Sequence, residues 1–416
     1  MARRAKGSGT IRKRNVTRNG KEYTFWEAQV TIGTDSGTGK QKRKTFTGST
    51  QKEVREKMQA AAVAVNENDY FEPSKLTVKQ WFEIWLKDYC SDKKPLTIRQ
   101  YESMAETHIY PALGGIKLSK LTSPQIQKFY NSLAVDGKTV KRKNQKTGKT
   151  ETFKEPLSAK TIRNIHNIIS MSLNTAISQG MMKDNPARRV TLPKVIKKEI
   201  QPLSEEQQKD FLKAIQEHSF KSIYTTILFT GLRESEACGL TWDCIDWKHG
   251  TMKVYRQLQR NPNNWSDFRF VPLKNSKTRT IKLSSYVLGI LKQQQIKQLE
   301  QRFKAGEFWQ GWQNEAERET WFIFTNDTGR YLNSATVYEN FKKIAAEIEI
   351  PQARLHDLRH TYALISLQGG DDYKTLQENL GHSSATTTLN VYAHVSEKMR
   401  EESARRQQAY IESLAL

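Results

Sequence analysis

Apolar and polar positions alternate over residues 23–32 and again over 42–47, which predicts two strands with a turn over 33–39. The Asn19-Gly20 pair ahead of them is a hairpin signal, so the chain opens with a small three-stranded sheet. Thr50 is placed to start a helix running to about Asn66, with the run from Ala60 to Val65 packing back on the sheet. The period then becomes helical. Residues 78–89 put Trp81, Trp85 and Leu86 on one face, and helices follow over 96–110, 123–133 and 158–179. Residues 136–156 interrupt them and read as a basic hairpin about Gly148, carrying Lys138, Lys141, Arg142, Lys143, Lys146, Lys149 and Lys154. Residues 66–75, with Pro73, and 185–202, with Pro186 and Pro202, read as linkers.

Pro202-Leu-Ser-Glu-Glu-Gln carries a helix N-cap signature. An apolar run over 223–229 is closed by Gly231, and Arg233 opens the next helix. Strands are expected over 242–255, a strand pair over 271–283, a polar helical stretch over 293–318 and a helix over 354–367. Residues 396–416 are amphipathic, with Ala404, Ala409, Ile411 and Leu414 among charges, and fit either a tail packed on its own chain or one docked on a neighbour.

Charge narrows the class. A net charge of +23 over 416 residues and a pI near 9.7 call for a polyanionic partner, nucleic acid first. A ribosomal or membrane-surface protein shares such a charge. No run of 18 apolar residues and no signal-peptide core occur, so neither spanning nor secretion is supported. Cys90, Cys238 and Cys244 lack metal or disulfide spacing, and a reducing cytoplasm is the expected setting. In the opening sheet one face is buried and one is spare. The spare face is expected to carry Arg12, Arg14 and Lys42 or Lys44, a strand ribbon of the kind that enters a major groove.

The last fifth of the chain concentrates the chemistry. It holds His356, His360, His382 and His394, four of the eight histidines, with Arg359 and Tyr392 among them. A tyrosine hydroxyl, with a pKa of about 10, is a poor nucleophile unless cations neutralise its electrophile. Phosphate is such an electrophile, because arginine forks grip two of its oxygens while a histidine moves a proton. His356 and Arg359 share a helix face, and Gly381 suits a tight turn that aims His382. His356 and His360 also stand at zinc-ligand spacing, but the residue after the first histidine is Asp357 and an arginine adjoins the pair, which disfavours a metal. Upstream, Thr230-Gly-Leu-Arg233-Glu-Ser-Glu236 supplies a further arginine beside a helix N-terminus.

Together Thr-Gly-Leu-Arg-x-x-Glu, a lysine within a strand pair, His-x-x-Arg, Leu-Gly-His and a tyrosine ten residues on resemble the tyrosine recombinase family, the phage and conjugative-transposon integrases. The resemblance implies an α+β multidomain fold: an arm-type DNA-binding sheet and helix over 1–66, a helical core-binding domain over 76–190, and a mainly helical catalytic domain with a small sheet and a tail helix over 200–416. It implies that Tyr392 attacks to leave a 3′-phosphotyrosine, that Arg233, Arg359 and His382 hold the non-bridging oxygens, that His356 assists proton transfer, and that Glu236 orients Arg233 or His356. Lys277 is the matching general acid, with Lys274 and Arg279 near enough to compete. Lys141, Arg142 and Lys143 would contact phosphates. No metal, nucleotide or other cofactor is implied. The implied partners are double-stranded DNA at core and arm attachment sites, three further copies in a homo-tetramer on DNA, and accessory DNA-bending or excisionase proteins, with no membrane and a bacterial cytoplasmic setting. Rival classes are a type IB topoisomerase, a non-catalytic DNA-binding regulator and a zinc hydrolase.

Overall fold

The alternating pattern at the start of the chain closes into an antiparallel meander, β1 (Thr10–Arg18), β2 (Lys21–Thr34) and β3 (Gln41–Gly48), covered by α1 (Gln51–Asn66). This computed structural model describes residues 9–18, 21–34, 40–66, 74–143, 149–196, 201–264, 267–274, 277–381 and 397–414. The chain divides into two compact units, 1–196 and 197–416.

In the first unit Thr50 Oγ1 accepts from the Glu53 amide at 3.2 Å, which starts α1 where the sequence places it. Ala28 and Val30 of β2 and Val54 of α1 are buried against one another's layer. Pleat alternation therefore assigns the faces. Arg12 opposite Glu27, Arg14 opposite Phe25, and Arg43 opposite Thr31 fall on the open face. Lys44 stands opposite the buried Val30 and shares a face with Phe46, its ammonium 5.9 Å from that ring. Lys42 is exposed opposite Gly33, beyond the register shift at Thr31/Gly33, so the expectation that Lys42 or Lys44 occupies the spare face is corrected for Lys44, whose place there is taken by Arg43. The reason is a one-residue phase in β3, because Phe46 is the side chain that seeks the core.

The helical part of this unit is built from α2 (Val78–Asp88), α3 (Pro95–Met104), α4 (Ser123–Asp136) and α5 (Ala159–Ser178). A π-helical turn, Ala105–Ile109, carries α3 on to Tyr110–Leu113. Thr77 and Gln80 form a reciprocal capping box on α2, as do Thr122 and Gln125 on α4. Trp81, Phe82, Ile126 and Ile165 are fully buried in one core, and the Trp81 indole donates to the Ser172 carbonyl at 3.1 Å. The basic interruption is a hairpin, β4 (Lys138–Lys143) against β5 (Thr150–Glu155); Gly148 lies outside the described residues.

Residues 185–193 are not the extended tether expected of them. Asn185 is buried and caps a 3-10 turn, Pro186–Arg189, while Arg163 Nε donates to the Pro193 carbonyl at 2.9 Å and Gln127 pairs with the Thr191 backbone. Polar side chains of α4 and α5 satisfy this backbone, so it stays on the helices and any linker begins later.

The second unit centres on α6 (Glu205–Ala214), α7 (Lys221–Thr230) and the five-residue α8 (Glu234–Cys238). Ser204 caps α6 in a box with Gln207, as the sequence predicts. Residues 242–244 form a 3-10 turn in place of the expected strand. Five strands follow: β6 (Ile245–Asp246), β7 (Thr251–Val254), β8 (Arg256–Arg260), β9 (Phe268–Pro272) and β10 (Arg279–Lys282). The stretch 271–283 is not a strand pair. β9 pairs with β8, and β10 pairs with β7 in a sheet of order β10-β7-β6. Ile281 is drawn opposite the buried Met252, and that long-range contact outweighs local hairpin closure.

The unit is completed by α9 (Ser285–Ala305), α10 (Ser334–Glu347), α11 (Leu355–Gln368), α12 (Tyr373–Leu380) and α13 (Glu397–Ser413). Polar residues of α9 are partly structural: Gln298 is buried, accepts from the Trp242 indole at 3.0 Å and donates to the carbonyls of Phe322 and Ile323. Among the described residues no helix is long and apolar enough to cross a membrane.

Candidate active site

Two glycines shape the backbone here. α7 ends at Gly231 with φ +65°, and a Cβ there would lie 2.3 Å from Tyr362 Cδ1, so both conformation and space require glycine. The turn leads directly to Arg233 at the start of α8. α12 ends the same way at Gly381, φ +63°, and the chain then proceeds to His382.

Arg359 of α11 joins the two turns. Its side chain is 2% exposed, Nη1 donates to the Gly231 carbonyl and Nη2 to the Leu380 carbonyl, each at 2.5 Å. Both acceptors belong to helix C-termini, where orphan carbonyls and the macrodipole favour a cation. Burial, then the Arg233 charge, lowers the Arg359 pKa to about 9, which leaves it protonated at neutral pH.

Glu236 stands at the centre. Its carboxylate accepts from the Arg233 amide at 2.9 Å and Arg233 Nη1 at 2.7 Å, and from Arg279 Nη1 at 3.2 Å and Nη2 at 2.6 Å. Arg359 Nη1 approaches it to 4.0 Å. Burial by itself would push this carboxyl up; the bonds and charges of Arg279 and Arg233 outweigh it and hold the pKa at about 2. Three guanidiniums thus converge on one carboxylate, leaving a positive excess. Arg233 keeps a quarter of its side chain exposed, and is the one of the three open to an incoming anion.

His356 and His360 lie on the first turns of α11 with rings edge-to-face, centroids 4.8 Å apart. Loss of solvation, then the charges of Arg359 and Arg233, lowers the His356 pKa to about 4. His360 is lowered likewise, by burial and then by His356. Asp357 is taken by Arg354 in a capping box, with Arg354 Nη2 at 2.8 Å. Among the described residues no group of three His, Cys, Asp or Glu side chains is placed to hold a metal.

Lys277 is exposed just before β10, two residues from Arg279. Arg279 is removed from the competition for the general acid, because Nε donates to the Asn379 carbonyl at 2.7 Å and both Nη atoms hold Glu236. Lys274 lies at the other end of 275–276 and is exposed. His382, Tyr392 and His394 lie outside the described residues.

The buried part played by Arg279 was not foreseen. Its signal is the alternation of Arg279, Ile281 and Leu283, which places an arginine on an apolar face.

Of the remaining cations expected to meet a polyanion, Arg12, Arg14, Lys42, Lys141 and Arg142 are exposed and Lys44 is half-buried. Arg12 and Arg14 both approach Glu27, at 2.5 and 3.6 Å. On the β4–β5 ribbon, Arg142 and Lys138 pair with Glu155 and Arg142 lies 5.7 Å from the Phe153 ring. The opposite ribbon face presents Thr139, Lys141, Thr152 and Lys154 without a carboxylate, and Lys143 stands in register with Thr150.

Residues 194–399 match the Phage integrase family, and residues 77–134 match the Phage integrase N-terminal SAM-like domain, together more than half of the chain. A tyrosine recombinase XerC-like protein of Caldanaerobacter subterraneus subsp. tengcongensis is 29% identical over 404 residues, spanning 94% of this chain and 96% of that one. Among solved structures, the Tn1549 transposon integrase in complex with a circular intermediate DNA superposes with a TM-score of 0.61 at 20% identity, over 80% of this chain and 99% of that one. A lambda integrase tetramer bound to a Holliday junction gives 0.53 at 18% identity, over 89% and 96%. At these identities the two structural likenesses speak for the fold.

Proposed function

Since the chain belongs to the phage integrase family of tyrosine recombinases, enzymes that cleave and rejoin DNA, we propose that it recombines specific sites of a mobile element through a covalent 3′-phosphotyrosine. Tyr392 Oη attacks the scissile phosphorus, the bond from phosphorus to the 5′-oxygen breaks, and the departing oxygen takes a proton from Lys277. The reverse step, with a 5′-hydroxyl from another strand as nucleophile, rejoins the DNA. Each step exchanges one phosphodiester for another, so the balance requires no nucleotide, metal or other cofactor.

The observation that carries this reading is the convergence of Arg233, Arg359 and Glu236 beneath the Gly231 and Gly381 turns. One carboxylate among three guanidiniums leaves charge for a phosphate, and Arg233 has the exposure to reach it. His382 joins it on the phosphate, while Arg359, expected there as a ligand, is buried beneath and supports the grip by holding the Gly231 and Leu380 carbonyls. His356, uncharged above about pH 4, accepts the tyrosine proton directly or helps it leave.

The same reading assigns residues 1–66 to arm sites, 76–190 to one side of the core duplex and 200–416 to catalysis. Arg12, Arg14 and Arg43 would face the arm DNA; Lys44 would act only from the strand edge. Lys141 and Lys143, with Lys154, would contact core phosphates, and Arg142 would brace the ribbon. Strand exchange needs four cuts, which supports a homo-tetramer on DNA, with accessory DNA-bending or excisionase proteins controlling direction. The described side chains of α13, Tyr410 and Ile411 included, and Leu414 just after it are exposed, which favours a tail that docks on a neighbouring protomer.

A nicked suicide duplex tests the reading. Wild-type protein should be trapped covalently on a 3′ end, in the presence of chelator as in its absence. An adduct on a 5′ end, or cleavage that requires added metal, would overturn it. Deleting residues 1–66 should spare core-site cleavage and stop recombination of full attachment sites; equal recombination would remove the arm assignment.

A further inference from the structure

Arg279 ties together parts of the site that are remote in sequence. Two of its nitrogens fork onto Glu236, which also holds the Arg233 backbone and side chain. Its Nε bonds the Asn379 carbonyl, and Arg359 bonds the next carbonyl, that of Leu380. The end of α12 is thus gripped from β10 and from α11, one residue before Gly381. A Cβ on Gly381 would lie 3.1 Å from Arg279 Nη1, so the turn is closed down onto this guanidinium.

We propose that Arg279 is a positioning residue for the cleavage step: by sharing the Glu236 carboxylate it sets the orientation of Arg233, and by holding Asn379 it anchors the turn from which His382 departs. The proposal rests on the reading of Arg233 as a phosphate ligand. Its physical basis is a division of charge. Glu236 is 2% exposed at the side chain and Arg279 7%, so their interaction is poorly screened. With Arg279 present, half of the carboxylate's lone pairs are occupied. Without it, the whole negative charge turns to Arg233 and draws that guanidinium back from the phosphate. Three of the five N–H donors of Arg279 are spent on Asn379 and Glu236 and its side chain is 7% exposed, so it acts through Arg233 and the α12 turn.

The test uses full-length protein, a nicked suicide duplex and single-turnover cleavage, with DNA affinity measured separately. Arg279→Ala should slow cleavage by about 10- to 100-fold, the range for residues that orient a ligand-holding group, with affinity nearly unchanged. The loss should be clearly smaller in an Arg233→Ala background, because the part transmitted through Glu236 to Arg233 is then already gone. A scissile methylphosphonate, which carries no charge for Arg233 to neutralise, should bring Arg279→Ala close to wild type. Arg279→Lys keeps a buried cation and serves if the alanine variant is unstable: it should show a smaller loss with the same dependence on Arg233. An equal loss in both backgrounds, or a methylphosphonate rate still depressed in the variant, would show a general packing role and overturn the proposal. Arg233→Ala that cleaves normally would instead sink the assignment of Arg233, leaving a distinct signature.

Discussion

The arginines around Glu236 and the cations of the β4–β5 ribbon have the same charge and opposite circumstances. Arg359 and Arg279 are almost sealed from solvent, and their nitrogens go to named carbonyls and one carboxylate. Lys141 and Lys154 are exposed on a ribbon face that carries no carboxylate among the described residues. Removing one partner from a buried ionic cluster strands the others in a poor solvent, whereas an exposed pair exchanges for water at little net cost. Buried cations therefore act through geometry and exposed ones through charge, and each class should fail in its own way when altered.

The largest effect is expected where neither class can compensate. Tyr392→Phe should abolish covalent adduct while DNA binding persists, because only the nucleophilic oxygen is lost; adduct formation by the variant would remove Tyr392 from its role. Next is the general acid. Lys277→Ala should slow cleavage by about 100- to 10,000-fold and recover when the bridging 5′-oxygen is replaced by sulfur, whose thiolate leaves without a proton. Recovery by Lys274→Ala in place of Lys277→Ala would move the acid to Lys274.

Arg233→Ala should cost about 100- to 1000-fold in cleavage, gain little from the sulfur and respond weakly to salt, the behaviour of a geometric contact. On the ribbon, Lys141→Ala and Lys154→Ala should leave the cleavage rate of bound DNA intact. Each should reduce the slope of log affinity against log salt by about 0.9. Arg142→Ala, whose charge is already spent on Glu155, should change that slope least. If Arg142→Ala matches the lysine variants, the division of the ribbon into a braced and a free face is wrong.

The smallest effect concerns stability in acid. His360, half-buried, has a folded pKa lowered from 6.5 to about 4, so between those limits the unfolded chain binds more protons. Stability is therefore full above about pH 6.5 and declines as pH falls toward 4. Glu236, lowered from 4.5 to about 2, adds a further loss below pH 4.5. Melting temperature followed from pH 7 to 4.5 should fall less in His360→Gln than in wild type; parallel curves would contradict the lowered histidine.

Much of this was legible before any fold was known. The capping residues Thr50, Ser158 and Ser204 start helices where the sequence puts them, because a cap is decided by four adjacent residues. Gly231 and Gly381 were readable as turns for the same reason. The pairing of β10 was not, since the apolar partner that captures Ile281 is Met252, far back in the chain. The face taken by Lys44 depended on Phe46 finding a helix to pack on, and the docking of 185–193 depended on Gln127 and Arg163 offering donors and acceptors.

The sequence by itself determined the fold class, the order of the helices and strands, and the residue types of a phosphate-transfer site, because periodicity, caps and short motifs are local and each is written within a few positions. Only the tertiary structure decided which cations are buried, that Arg279 rather than solvent balances Glu236, and that two helix ends are laced to one arginine. Those outcomes follow from desolvation and long-range pairing, whose energies depend on what surrounds a residue in space and not on what stands next to it in the chain.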